Sequence, residues 1–172
     1  MRLDRFNLNG ERNNGKNLEP AIQVFHPNGR TASTHFFSNG KLTDAFSGGW
    51  LPAEREFYDT GVQKSFTYAN LGLPQDPADD GPAYMSFYPD GTPSVAQHYR
   101  NGQLNDTKDG RIASTIYDAA GNITAMARYE KGRLVKQFKA EEVAAYLDQT
   151  EKVAYIRKAN PLLKIKPGTL AL

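Results

Sequence analysis

The sequence predicts a mainly β protein built of tandem antiparallel β-hairpin repeats, with one α-helix near its C-terminus. Glycines recur in pairs eleven residues apart, and aromatic residues recur at set distances from those glycines. Only the segment after residue 138 changes to helical spacing. We therefore expect a β-hairpin repeat domain over residues 1–138, and an amphipathic helix with a basic and apolar tail over residues 139–172.

Four pairs of glycines mark the repeat. The leading glycines fall at 29, 61, 91 and 121, so the period is 30 to 32 residues, with units near 22–45, 55–73, 84–106 and 114–136. Several of these glycines follow Asn or Asp, and such pairs tolerate the positive φ of tight hairpin turns. The predicted turn glycines are Gly29, Gly40, Gly61, Gly72, Gly91, Gly102, Gly121 and Gly132.

Aromatic and leucine residues repeat with the glycines. An aromatic residue stands four positions before each leading glycine, at Phe25, Phe57, Phe87 and Tyr117. A second recurs near the second glycine, at Phe36 and Phe37, Tyr68, Tyr99 and Tyr129, and a leucine follows it, at Leu42, Leu73, Leu104 and Leu134. In the second copy this aromatic and this leucine are each shifted by one residue. Each unit is therefore predicted to fold as strand, turn, strand, turn. Neighbouring units must pair, because two strands alone are only marginally stable.

The segments around the repeats differ from them. Asn9-Gly10 and Asn14-Gly15 indicate a degenerate hairpin that caps the array, and residues 73–82 form an acidic, proline-rich link. Apolar residues follow helical spacing within 139–159, with Glu141 and Glu142 at the start. We expect this helix to pack on the end of the sheet and cover an edge strand, in preference to binding a partner or a membrane.

The repeat resembles the MORN-repeat variant found in bacterial proteins commonly labelled as antitoxin components. The shared form is aromatic-x-(Pro)-(Asn/Asp)-Gly, a strand, then aromatic-x-Asn-Gly-x-Leu, and residues 24–136 carry it. The period of 30 to 32 residues exceeds the two dozen or so of that family, which predicts loops or extra strands between units. The resemblance implies a hairpin array used as an interaction surface. The run from Tyr117 to Gly121, followed by Arg128 and Tyr129, is also similar to the YD repeats of large bacterial toxins.

Composition excludes several classes of protein. The chain has no cysteine, which removes disulfides, thiolate catalysis and cysteine zinc sites. Its net charge of +2 is too small to indicate a nucleic-acid binder, although basic residues concentrate after residue 128. The first residues lack the apolar core of a signal peptide, and we find no apolar run long enough to span a membrane. We expect a cytoplasmic protein.

A search for catalytic groups finds no recognisable site. The three histidines, His26, His35 and His98, are most simply surface or sheet-packing residues, because catalysis requires an orienting carboxylate and a nucleophile. The acidic run from Asp76 to Asp80 lacks the ligand pattern of a calcium loop and is most simply a solvated loop. We predict no enzyme activity, no cofactor and no metal. A cryptic enzyme built on His35, His98 and the acidic loop is the open alternative.

The expected function is therefore binding. If the phenylalanines face the core, His26, Tyr58 and Tyr88 form a row on the other face of the sheet, unless neighbouring units cover it. We predict an inhibitor, antitoxin-like or adaptor protein that binds another protein through this face or through the basic C-terminal end. The candidate partner-binding residues are His26, Tyr58, Tyr88, Trp50, Arg128, Arg133, Arg157 and Lys158. The alternative is a nucleic-acid or anionic-surface binder that uses the basic end, and exposed end strands also allow a homodimer.

Overall fold

A computed structural model describes residues 1–46, 50–78, 81–108 and 110–148. In chain order the strands are β1 (Arg2–Asp4), β2 (Ile22–Phe25), β3 (Thr31–His35), β4 (Phe37–Ser38), β5 (Lys41–Leu42), β6 (Ala45–Phe46), β7 (Trp50–Leu51), β8 (Glu54–Phe57), β9 (Gln63–Thr67), β10 (Ala69–Asn70), β11 (Leu73–Pro74), β12 (Tyr84–Phe87), β13 (Pro93–Gln97), β14 (Tyr99–Arg100), β15 (Gln103–Leu104), β16 (Ser114–Tyr117), β17 (Ile123–Glu130) and β18 (Arg133–Gln137). A short 3-10 turn lies at Lys16–Leu18, and helix α1 spans Ala140–Asp148.

Ten of these strands form one antiparallel meander in the order β1-β2-β3-β8-β9-β12-β13-β16-β17-β18. The predicted fold class is confirmed, since tandem hairpins build a mainly β sheet that one C-terminal helix follows. The remaining strands pair as separate short hairpins, β4 with β5, β6 with β7, β10 with β11, and β14 with β15. We call β2–β5 unit 1, β8–β11 unit 2, β12–β15 unit 3 and β16–β18 unit 4.

The two glycines of each unit close two kinds of turn. The leading glycines have φ values of 81, 90, 86 and 84°, and each long hairpin shifts register just before its turn, as at Val24 and Phe25. This combination is a turn closed by a one-residue bulge. At the second glycines both central residues have positive φ, for example Asn101 at 50° and Gly102 at 77°. That is the type I′ geometry that fits the twist of a two-residue hairpin.

The chain bends between the long and the short hairpin of units 1, 2 and 3. A single residue separates the two strands there, whereas β17 of unit 4 continues as one strand through the corresponding position at Arg128, where its pairing with β18 shifts register. A fully buried alanine precedes the first strand of each unit, and Ala53, Ala83 and Ala113 lie opposite the three bends while Ala21 lies opposite Arg5. Their carbonyls accept backbone N–H groups of the previous unit, as from Phe36 to Ala53 at 2.8 Å. A larger side chain would not fit at a corner that is fully enclosed.

The apolar core lies mainly on one face of units 3 and 4. Its first cluster joins Met85, Phe87, Ala96 and Tyr117. Its second cluster packs Val143 and Leu147 of α1 on Ile112 and Met126, so the helix packs on the end of the sheet as predicted. The prediction that it covers an edge strand is wrong, because every residue of β18 is exposed. Among the described residues, no helix has the length and apolar character that crossing a bilayer requires.

The N-terminal residues form a half-unit. Strand β1 pairs with β2, and Phe6 pairs with Arg12 around a turn in which the Gly10 N–H donates to the Asn7 carbonyl. The carbonyl of Arg12 accepts the N–H of Gly40, which stacks this hairpin on the short hairpin of unit 1. The predicted degenerate hairpin is therefore present at Asn9-Gly10. Asn14 pairs with Phe37 through its backbone N–H and its side-chain oxygen, and the Gly15 N–H donates to the Glu19 carbonyl at 2.9 Å across the 3-10 turn.

Candidate binding groove

Three aspartates tie the short hairpins to the long ones, and we call Asp44, Asp76 and Asp106 the aspartate clamps. In each, Oδ1 accepts two backbone N–H groups from the unit that follows it in the chain. One donor is the buried alanine at the start of that unit and the other lies in its short hairpin, or in β17 for unit 4. The distances are 3.1 and 2.7 Å to Ala53 and Ala69, 2.9 and 2.9 Å to Ala83 and Tyr99, and 3.0 and 3.1 Å to Ala113 and Tyr129.

The second carboxylate oxygen has a different surrounding in each clamp. Asp76 Oδ2 accepts from Nδ1 of the buried His98 at 2.9 Å, and Asp106 Oδ2 accepts from Nε of Arg128 at 2.6 Å. In unit 2 the corresponding residue is Tyr68, a phenol. Burial raises the pKa of Asp44 to about 6, against the lowering effect of its two backbone hydrogen bonds. Asp76 is thus an acceptor of backbone hydrogen bonds, and the prediction that it belongs to a solvated loop is wrong. Asp79 and Asp80 lie outside the described residues.

A groove opens where unit 2 departs from the repeat. Facing pairs in the other units join an aromatic residue to a leucine, as in Phe37 with Leu42 and Tyr99 with Leu104. In unit 2 this pair is Ala69 with Pro74. A cavity of about 510 Å³ lies there, between the sheet and the short hairpins. The described residues that line it are Leu42, Glu54, Thr67, Ala69, Gly72, Pro74, Tyr84, Gln97 and Tyr99.

The polar groups of the groove come from the long strands. Glu54, Thr67, Tyr84 and Gln97 occupy matched register positions on β8, β9, β12 and β13, so they share one face of the sheet. The hydroxyl of Tyr99 donates to Gln97 Oε1 at 3.1 Å, and burial raises the pKa of this phenol. The groove therefore presents one carboxylate beside neutral phenols, an amide and a hydroxyl.

His35 forms a hydrogen bond to Glu54 that lowers the pKa of its carboxyl. Its Nδ1 lies 3.1 Å from Glu54 Oε1, and this hydrogen bond holds the pKa of the carboxyl below its usual range. Its Nε2 lies 3.1 Å from the hydroxyl of Ser33. A hydroxyl, an imidazole and a carboxylate, on Ser33, His35 and Glu54, are thus each within hydrogen-bond distance of the next. Strand β3 is hydrogen-bonded on both sides, however, so its N–H groups serve the ladders, whereas acyl transfer needs donors aimed at an oxyanion. The absence of enzyme activity stays a prediction.

His26, Tyr58 and Tyr88, the residues of the predicted row, each bond to a backbone carbonyl of the next unit. The Tyr58 hydroxyl donates to the Phe87 carbonyl at 2.8 Å, and the Tyr88 hydroxyl donates to the Tyr117 carbonyl at 2.9 Å. His26 Nε2 donates to the carbonyl of Phe57 at 2.9 Å. Each residue of the row therefore ties its unit to the next, and each is half-buried. Their role in binding a partner stays a prediction.

The other predicted residues are scattered. Arg128 pairs with the Asp106 clamp, and Arg133 is exposed on β18. Trp50 lies on β7, where the structure describes its backbone only. Arg157 and Lys158 lie outside the described residues. None of the eight is among the described residues that line the groove. The signal that could have located the groove is the irregular second copy of the repeat, in which the aromatic and the leucine are each shifted by one residue.

Comparison with models of known protein families found no match, and comparison with curated proteins found no significant match.

Proposed function

We propose that this chain is a non-catalytic protein-binding module, an inhibitor, antitoxin-like or adaptor protein of MORN-variant type, and that its groove binds the partner. The observation that carries the proposal is the substitution of Ala69 and Pro74 for an aromatic–leucine pair. Ala69 faces Pro74 in unit 2, where the cavity lies, whereas units 1, 3 and 4 keep the aromatic–leucine pair.

The lining of the groove supports a protein ligand. Leu42 and Pro74 supply apolar surface, and Tyr84 and Tyr99 supply aromatic surface with polar tips. Tyrosine is enriched in protein interfaces because it offers large contact area at low conformational cost. The sheet beneath is hydrogen-bonded throughout, so the surface is preorganised and little ordering would oppose binding.

Charge pairing at the C-terminal end favours this proposal over a nucleic-acid or anionic-surface binder. Arg128 is held by Asp106 at 2.6 Å, and Lys136 is held by Glu142 at 2.8 Å. Cations that already have carboxylate partners contribute less to the release of counterions from a phosphate backbone. Binding to DNA, RNA or anionic vesicles that weakens steeply with salt would support the alternative instead.

Affinity capture from cell extract with matched variants tests the proposal. Ala69→Tyr restores the side chain that the regular units carry and is expected to fill the groove and abolish capture of the partner. Asn70→Tyr adds the same ring to the neighbouring exposed position of β10 and is expected to leave capture unchanged. Glu54→Arg fills the groove from the sheet side without altering the short hairpin.

Circular dichroism and thermal unfolding establish that each variant is folded before its capture is compared. A protein recovered by the wild type and Asn70→Tyr, and lost with both groove variants, supports the proposal. Recovery of the same proteins by every variant, or of none by the wild type, contradicts it.

A further inference from the structure

We infer that the groove recognises a basic side chain of the partner, an arginine by preference, with Glu54 as its anchor. The inference rests on the proposed function and names the chemistry by which the groove would select its partner. Glu54 is the one charged side chain among the described residues that line the groove. The other lining groups are neutral, so a cation is the ligand whose charge the groove complements.

Glu54 has a carboxylate oxygen available for this ligand. Oε1 accepts the hydrogen bond of His35, and Oε2 has no protein partner among the described residues. The side chain is 34% exposed, so it is held in place yet reachable from the groove. A carboxylate oriented by a second residue binds a cation with less loss of conformational freedom than a mobile surface glutamate does.

The remaining lining groups match a guanidinium. Its flat faces stack favourably on aromatic rings, and Tyr84 and Tyr99 both line the groove. Its five N–H groups need acceptors, which Glu54, the Thr67 hydroxyl and the Gln97 amide oxygen can supply. A cavity of about 510 Å³ holds such a side chain together with adjoining backbone. Lysine satisfies the charge but not the planar array of donors.

An anionic ligand does not fit the same surface. A carboxylate or phosphate would face Glu54 without any cation among the described lining residues to offset the repulsion. His35 sits on the far oxygen of Glu54, where its N–H is already used. The groove therefore discriminates by the sign of the charge as well as by shape.

Peptide titration of the full-length protein, followed by NMR, tests the inference. The probe is acetyl-Gly-Arg-Gly-amide, and the matched probe replaces arginine by citrulline, which has almost the same shape but no charge. We expect the arginine peptide to shift the resonances of Thr67, Tyr84, Gln97 and Tyr99. We expect the citrulline peptide and a glutamate peptide to bind at least about tenfold more weakly, since a charge-assisted bond is lost.

Two glutamine variants locate the anchor. Glu54→Gln keeps the side-chain shape and is expected to weaken arginine binding about tenfold or more. Glu56→Gln is the control, because Glu56 lies on the same strand and face, pairs with Lys64 and lies outside the lining. Equal binding of arginine and citrulline, or full binding by Glu54→Gln, would overturn the inference.

The outcomes separate this inference from the proposed function. If a partner is captured through the groove while the arginine peptide causes no shifts, the protein-binding function stands and the arginine assignment is wrong. If the arginine peptide binds at Glu54 while no groove-dependent protein is captured, the cation site stands and the proposed function is wrong.

Discussion

Units 2 and 3 share one backbone plan and differ in a few side chains. Their long hairpins have matching registers, with Glu54 opposite Thr67 in one and Tyr84 opposite Gln97 in the other. Each short hairpin is fixed by a clamp to a buried alanine. Yet only unit 2 replaces the aromatic–leucine pair by alanine and proline. The difference shows that turns, corners and clamps maintain the array, while the facing pair of the short hairpin is left to vary.

The cores of the two units differ as well. Met85 of unit 3 packs in an apolar cluster, whereas the matching residue of unit 2 is Arg55. The Arg55 guanidinium lies 5.9 Å from the ring centres of both Phe36 and Phe57, and burial lowers its pKa. Its Nε is buried and has no hydrogen-bond partner among the described residues. Unit 2 therefore has a buried donor without a described partner where unit 3 has an apolar side chain, on the face of the sheet opposite the groove.

The largest expected effect is on stability, and it differs between loss of the unit 3 clamp, Asp76, and loss of the unit 2 clamp, Asp44. Asp76→Ala leaves three donors without an acceptor, on Ala83, Tyr99 and His98, while Asp44→Ala removes the acceptor of two backbone donors among the described residues, Ala53 and Ala69. We expect losses in the free energy of unfolding of about 3 kcal/mol and about 2 kcal/mol respectively, since each buried unsatisfied group costs roughly 1 kcal/mol or more. Urea unfolding measures both. Asp76→Asn, which keeps an acceptor, is the control, and equal losses for the two alanine variants would contradict the comparison.

Replacing the arginine of unit 2 by the residue of unit 3 is expected to stabilise the protein. Arg55→Met removes a half-buried charge and an unsatisfied donor while keeping apolar volume against Phe36 and Phe57. We expect a gain of about 1 kcal/mol in the free energy of unfolding, because replacing buried charges by packed apolar groups is often stabilising. Thermal and urea unfolding check it against Arg100→Met at the exposed position of β14, which should change stability little. A loss of stability in Arg55→Met would show that its aromatic contacts outweigh its burial.

The smallest expected effect is a pH dependence confined to the unit 2 clamp. Burial raises the pKa of Asp44 from its ordinary value of 3.8 to about 6, so the folded protein binds the proton more tightly than the unfolded chain does. This contribution to stability is present below the unfolded pKa and is lost as pH rises through 6. The wild type should therefore lose stability relative to Asp44→Asn between pH 4.5 and 7.5, by under about 1 kcal/mol after allowance for partial exposure.

Urea unfolding of both proteins across that range gives the difference directly, because every other titrating group is common to the two. A difference that stays constant with pH would mean that Asp44 keeps an ordinary pKa when folded. The clamps of units 2 and 3 would then be electrostatically alike despite the exchange of His98 for Tyr68.

Local chemistry made much of the fold predictable. A positive φ strongly favours glycine and asparagine, so the repeat of hairpin turns could be read from residues such as Gly29 and Gly40. The change of spacing after residue 138 likewise predicted α1. Sequence reasoning missed the corner alanines, although Pro-Ala recurs at 20–21, 52–53 and 82–83. It also placed Asp76 in a loop, because the donors that hold its carboxylate lie up to 23 residues away.

By itself the sequence determined the mainly β class, the number of repeat units, their turns and the C-terminal helix, because each depends on residues close together in the chain. Only the tertiary structure decided where the chain bends, which aspartates become clamps and where the groove opens. Those features depend on packing between units about 30 residues apart. The effect of a side chain such as Ala69 is set by the residues of neighbouring units that contact it. Three of the partner-binding residues suggested by periodicity, His26, Tyr58 and Tyr88, form hydrogen bonds between units. A residue that recurs at the repeat period is well placed to contact the neighbouring repeat.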